Sequence, residues 1–257
     1  MVRLLPPTPE GQSPLSWYGF AAVVLWPPMQ VGTKRDWRGG EHLGNPGEGR
    51  ILAANHISWF DPFVLAHFIN DNGRNVRILA KASLFDVPLG GQVLKGTGQI
   101  PVKRQTGDAA AAVEAGVQAV KAGHCILMYP EGTITRDPDL WPMTGKTGVA
   151  RMALRSRKPV IPVAQWGAQD VMGPYKVEAR VLPRKTMQVA AGPPVDLDDL
   201  YDEEPTAEVL AVATARIMDA ITAELAQLRG ETPPDERWSM KDGSRVPRGR
   251  TAVSGDR

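Results

Sequence analysis

Apolar residues fall into short runs along this chain, separated by polar, glycine- and proline-rich joints. Arg50-Ile51-Leu52-Ala53-Ala54 reads as a buried strand that stops at Asn55-His56. Further strands are predicted at Val76 to Ala80, Ile100 to Val102, His124 to Tyr129, Val160 to Ala164 and Met187 to Ala191. Pro162 lies inside the strand from Val160 to Ala164, which predicts an interruption or a sheet edge, because proline cannot donate to a ladder. Helical patterns fill the gaps. Pro62 to Ile69 is one, with Asp61 and Pro62 as a cap and first-turn pair. Asp108 to Ala122 is an alanine-rich helix closed by Gly123, Thr147 to Arg157 is a third, and Pro205 opens a long one that runs to about Leu228. Strands that alternate with helices predict an α/β domain with a mixed, largely parallel sheet flanked by helices.

The two ends read differently. Residues Gly11 to Thr33 carry no charge, and the apolar stretch Trp17 to Trp26 runs into Pro27-Pro28. Proline there predicts a helix of roughly 10–13 residues, about 15–20 Å long and short of the ~30 Å hydrocarbon core. Its aromatic residues Trp17, Tyr18 and Trp26 suit a lipid–water boundary, so an N-terminal interfacial helical segment is expected, packing on the protein's own core being the alternative. The first residues, MVRLLPPTPEGQ, break into prolines and do not form a secretory signal. Lys34 to Arg50 reads as loop with at most one short strand. Past Gly230 the chain is rich in proline, glycine and charge, with a loose basic patch at Arg245, Arg248 and Arg250; it is expected to be solvated unless it lies along the body or meets anionic lipid. The expected divisions are an interface segment at 1–33, the main domain at 34–230 and a polar tail at 231–257.

Composition narrows the reading only a little. Of 257 residues, 42% are hydrophobic and 23% charged, enough for an ordinary core. A net charge of +2 does not point to nucleic acid and is compatible with a membrane surface or a phosphorylated ligand. The single cysteine, Cys125, excludes an intrachain disulfide and sits in an apolar run where packing is its expected role. His42, His67 and His124 show no metal-ligand spacing, and no metal is expected.

Candidate chemistry concentrates in two places. Asn55-His56-Ile57-Ser58-Trp59-Phe60-Asp61-Pro62 puts a histidine and an aspartate four residues apart between a strand and a helix, where α/β proteins place reactive groups. Histidine is the side chain suited to act as a base near neutral pH, and a carboxylate on one ring nitrogen frees the other to take a proton. Asp61 has a plainer reading as the cap of the next helix, and Ser58, with no G-x-S-x-G around it, reads as a helix-start residue. Tyr129-Pro130-Glu131-Gly132-Thr133 takes a strand into a turn whose glycine lets backbone approach a ligand closely.

These blocks, NHISWFDP and YPEGT, resemble those of the glycerolipid acyltransferases, the family of 1-acylglycerol-3-phosphate acyltransferases. Gly98-Gln99-Ile100-Pro101-Val102-Lys103-Arg104 is similar to the family's Gly-x-Ile-x-Val-x-Arg segment, Lys146-Thr147-Gly148 to its Lys-x-Gly, and Val160-Ile161-Pro162-Val163 to its proline-bearing apolar strand. The similarity runs in order from about Ile51 to Val163. Tyr129 stands where the family usually has Phe, Ile134-Thr135-Arg136 follows the turn in place of Arg-Ser, and the Glu that follows Lys81 in the family is absent. The resemblance implies His56 as general base, Asp61 as its partner, and Arg104, Glu131, Gly132, Thr133, Lys146 and Lys103 at the acceptor site. It implies acyl transfer from acyl-CoA or acyl carrier protein to the hydroxyl of lysophosphatidic acid or a related lyso-lipid, without a cofactor, at the cytoplasmic face of the membrane. Another lyso-phospholipid or glycolipid acceptor, thioester hydrolysis, and a non-catalytic lipid-binding protein of the same fold are the competing expectations.

Overall fold

The computed structural model describes residues 16–102 and 108–248. The first half of the chain contributes α1 (Trp17–Gly32), β1 (Thr33–Arg38), β2 (Arg50–Ala54), α2 (Asp61–Asp71), β3 (Val76–Lys81), α3 (Gly90–Gly96), β4 (Ile100–Val102), α4 (Asp108–Lys121) and β5 (Cys125–Met128). The second half adds α5 (Gly148–Ser156), β6 (Val160–Trp166), α6 (Ala168–Val171), β7 (Lys185–Ala191), α7 (Ala207–Arg229) and a hairpin of β8 (Glu236–Trp238) and β9 (Arg245–Pro247). Seven strands form the central sheet in the order β1-β7-β6-β2-β5-β3-β4. All neighbours are parallel except β6 and β7. This is the mixed, largely parallel sheet that the alternating pattern predicts.

The sheet is covered on both faces, so its middle strands are apolar but for Arg50 at the start of β2 and Gln165 in β6. In β2, Ile51 and Ala53 join the cluster beneath α4, α5 and α7, while Leu52 and Ala54 join the one beneath α1 and α2. Cys125 packs in the second cluster, where burial pushes its thiol up to about 11.

Several expectations are corrected. Pro162 is neither at an edge nor a break: β6 lies between β7 and β2. Its register with β7 starts one residue later, at Val163 opposite Ala191, so the missing N–H falls where that ladder begins. The Pro162 carbonyl still accepts from Gly192 at 2.9 Å. Nor does Pro27-Pro28 end α1, which runs on to Gly32. The carbonyls that two prolines leave unpaired are those of Val23 and Val24, on the exposed side of the helix, while Met29 and Gln30 beyond them are buried and hold the last turn in place. At 16 residues α1 is about 24 Å long. No helix among the described residues is long and apolar enough to cross a membrane.

The stretch after α1 opens with a full six-residue strand, β1, on the sheet edge. Its charged residues are of the kind that edge strands carry, which masks the strand pattern. The C-terminal segment folds back on the body as far as it is described. Buried Arg237 donates to Asp219 (2.8 Å) and Thr222 (3.2 Å), Arg245 pairs with Asp137 (2.7 Å), and the Trp238 carbonyl accepts from Thr144 (3.0 Å). Arg250 lies outside the described residues.

β2, β3, β4, β5 and β6 all run the same way, so their C-terminal ends share one edge. A lock between β2 and β6 fixes that edge. Asn55 Nδ2 donates to the Gln165 carbonyl (3.1 Å), Gln165 N–H donates to Asn55 Oδ1 (2.9 Å), and Gln165 Nε2 donates to the Asn55 carbonyl (3.0 Å). Both residues are buried. Asn55→Ala is expected to cost about 2–4 kcal/mol in urea unfolding, because it strands buried polar groups of Gln165. A loss below about 1 kcal/mol would contradict this account of the edge.

Candidate active site

β2 and β5 are neighbours, so the loops that leave their C-terminal ends run side by side. His56 sits in the first loop, two residues past the strand. Its Nδ1 lies 2.7 Å from Asp61 Oδ2. The same oxygen accepts the backbone N–H groups of Ile57 (2.6 Å) and Ser58 (2.9 Å). Asp61 is thus not the helix cap: Phe60 holds that position and Asp61 is the first residue of α2. Its carboxylate reaches back over the preceding turn and ties His56 to the start of the helix. Ser58 serves the same turn, as its hydroxyl donates to the Met172 carbonyl (2.6 Å) and accepts from Phe60 N–H (2.9 Å).

An ionised carboxylate only accepts, so the Nδ1 contact puts the ring proton on Nδ1 and leaves the lone pair on Nε2. Nε2 has no hydrogen-bond partner among the described residues. Burial raises the Asp61 carboxyl above its ordinary value, opposed by the His56 contact and the two amide donors.

The second loop supplies the wall. The Tyr129 ring stacks on the His56 imidazole with centroids 4.1 Å apart and planes 19° from parallel. Burial, reinforced by the nearby Asp61, holds its phenol well above the usual value and therefore neutral. Trp59 meets the imidazole edge-on at 6.3 Å and is 53% exposed, so it is a surface ring and not core.

Glu131 is fully buried, and its two oxygens accept from His56 N–H (3.2 Å) and Met143 N–H (2.9 Å). Its carboxylate is spent on the backbone of the histidine loop and of the return segment. Gly132 follows with φ of +72°, and a side chain placed on it would come within 3.3 Å of the Lys146 stem. Lys146 is exposed and its backbone N–H is tied to Pro130 (2.9 Å). Thr133 is half-buried beside it. The structure therefore gathers His56, Asp61, Glu131, Gly132, Thr133 and Lys146 at one edge. Lys103 and Arg104 lie outside the described residues; β4, which precedes them, ends at that edge. Among the described residues no group of three or more His, Cys, Asp or Glu is placed to hold a metal. His67 is packed between Trp26 and Trp37, with its pKa pushed down to about 4 by burial.

A family model described as Acyltransferase matches residues 35–166, just over half of the chain. The chain belongs to the acyltransferase family. Over 86% of its length it is 21% identical to the 1-acyl-sn-glycerol-3-phosphate acyltransferase of Streptococcus pneumoniae and covers 77% of that protein. Over 54% of its length it is 28% identical to the chloroplastic 1-acyl-sn-glycerol-3-phosphate acyltransferase BAT2 of Brassica napus, and it spans 39% of that relative. Its fold matches the crystal structure of the 1-acyl-sn-glycerophosphate acyltransferase PlsC from Thermotoga maritima. The TM-score is 0.60 at 18% identity, over 80% of this chain and 76% of the other.

Two features of this acyltransferase domain escape a reading of motifs. The Asn55–Gln165 lock had a signal, a glutamine inside an otherwise apolar strand. The Glu131 contact to His56 had none, since the two residues are 75 positions apart.

Burial lifts Glu131 from the ordinary carboxyl value of 4.5 to about 8, the amide bonds from Met143 and His56 opposing it. The folded state therefore favours the protonated form. That contribution to stability is fully present below pH about 4.5 and lost as the pH rises through about 8. Thermal unfolding between those limits is expected to show a falling midpoint, and Glu131→Gln a flatter one. Identical slopes would remove Glu131 as the cause.

Proposed function

We propose that this protein transfers a fatty acyl chain from a thioester, acyl-CoA or acyl carrier protein, to the free hydroxyl of a monoacylglycerol 3-phosphate, forming phosphatidic acid. The observation that carries the reading is the 2.7 Å contact between His56 Nδ1 and Asp61, which leaves a lone pair on Nε2. Nε2 takes the acceptor hydroxyl's proton as its oxygen bonds to the thioester carbonyl carbon. The tetrahedral oxyanion collapses, the C–S bond breaks, and the imidazolium passes its proton to the departing sulfur, which leaves as the thiol and returns Nε2 to its unprotonated state. Asp61 stabilises that imidazolium. No acyl-enzyme is needed when both substrates bind together.

The acceptor phosphate is assigned to Arg104, and Lys103, Lys146 and the Gly132–Thr133 turn are assigned to help it. A guanidinium suits this task because it can bind phosphate through two parallel bonds. Glu131 contributes by holding the histidine loop. The relatives named for this acceptor support the choice of substrate. The exposed apolar side of α1 supports peripheral attachment to a membrane, with Trp17, Phe20, Val23, Val24 and Leu25 turned outward; the cytoplasmic face is the side we assign it to.

Purified protein given palmitoyl-CoA and 1-acylglycerol 3-phosphate is expected to release thiol and phosphatidic acid in equal amounts. His56→Ala is expected to lower the rate by roughly 10²–10⁴-fold, the usual contribution of a positioned base. Thiol release without lipid product would favour hydrolysis, and equal turnover by wild type and His56→Ala would overturn the mechanism.

A further inference from the structure

The connection between α6 and β7 carries no helix or strand from Met172 to Arg184, and residues 175–184 are all exposed. Its outward residues include Tyr175, Val177, Val181 and Leu182, with Val177 at 87% and Leu182 at 78% exposure. Side chains of this kind in contact with water over a contiguous stretch mark a binding surface. The loop's ends are nevertheless held. The Met172 carbonyl accepts from Ser58 (2.6 Å), the Tyr175 hydroxyl donates to Ile134 (2.6 Å), Arg180 N–H donates to Val171 (2.7 Å), and Arg184 Nη2 donates to the carbonyls of Gln30 (3.2 Å) and Thr33 (2.7 Å). An anchored stem therefore presents an apolar tip.

Its position is set by topology. β7 runs antiparallel to β6, so the loop lies at the edge where His56 and Glu131 sit, and Arg184 joins it to the end of α1. All but Val212 of the exposed large apolar side chains lie either on α1 or in segments at that edge: Trp59 and Phe63, Leu84 to Leu89, and this loop. Charge selects the partner. Residues 172–184 contain Lys176, Arg180 and Arg184 against Glu178 alone, a net +2, and Lys185 opens β7 directly after them. A cavity of about 280 Å³ under the loop is lined by Lys176, Arg180 and Lys185 together with Asp170 and Glu178.

We propose that residues 172–184 form a second membrane contact, separate from α1, in which Val177, Val181 and Leu182 enter the acyl boundary of an anionic bilayer while Lys176 and Arg180 meet its phosphates. Apolar residues flanked by lysine and arginine are the chemistry that such an interface takes. The contact extends the membrane association assigned to α1 and seats the catalytic edge directly on the lipid.

The full chain is tested by co-sedimentation with vesicles of phosphatidylcholine alone and of phosphatidylcholine mixed with phosphatidylglycerol. The double variant Val177→Ser/Leu182→Ser is expected to bind both vesicle types roughly a hundredfold less than wild type, in line with withdrawing two aliphatic side chains from an apolar phase. Lys176→Gln/Arg180→Gln is expected to lose several-fold on the anionic vesicles only. These positions are exposed, and unchanged thermal midpoints check that the variants fold. Wild-type partitioning of either pair would overturn the proposal. Partitioning is read without turnover, so a different acyl acceptor, or no acyl transfer at all, leaves this test intact.

Discussion

One buried oxygen organises the site. Asp61 Oδ2 takes the His56 imidazole and two successive backbone amides within 2.9 Å. Burying a carboxylate costs several kcal/mol, and hydrogen bonds to a charged group return about 1.5–3 kcal/mol each. Three of them on one oxygen are enough to keep the group in the interior. The consequence is geometric: the loop cannot move without breaking the set, so the imidazole is aimed before any substrate arrives. Such prior placement is what a general base requires.

That oxygen could not do this on a loose frame. Glu131 holds the His56 backbone from the neighbouring loop, the Asn55–Gln165 lock pins the end of β2, and Tyr129 lies flat on the imidazole. These contacts come from the ends of β2, β5 and β6, and they meet because those strands run in one direction. The antiparallel β7 adds the last part, since it returns the chain to the same edge and there projects the apolar loop beside α1. The placement of the His56–Asp61 pair and of the exposed apolar loop are thus two results of one sheet topology.

Much of this was legible in the residue pattern. Six of the seven central strands, the four longer helices after the first strands and the pairing of His56 with Asp61 follow from apolar runs, caps and motif spacing. What escaped was mostly decided by tertiary contact. Pro162 reads as an edge by local rule, yet its nitrogen falls where a partner strand begins. Pro27-Pro28 reads as a stop, yet burial of Met29 and Gln30 carries the helix through. β1 hides because an edge strand can be charged. The C-terminal hairpin hides because it is held by Arg237 and Arg245 on distant carboxylates, and apolar pattern says nothing about such pairs.

The central claim is that Asp61 fixes the imidazole with its proton on Nδ1 and its lone pair on Nε2. Nitrogen-15 chemical shifts of His56 in the neutral state test this directly. The account predicts a protonated Nδ1 and an unprotonated Nε2, with the preference lost in Asp61→Asn. A proton on Nε2 in the wild-type protein would leave no base where the acceptor hydroxyl must be activated, and would contradict the account.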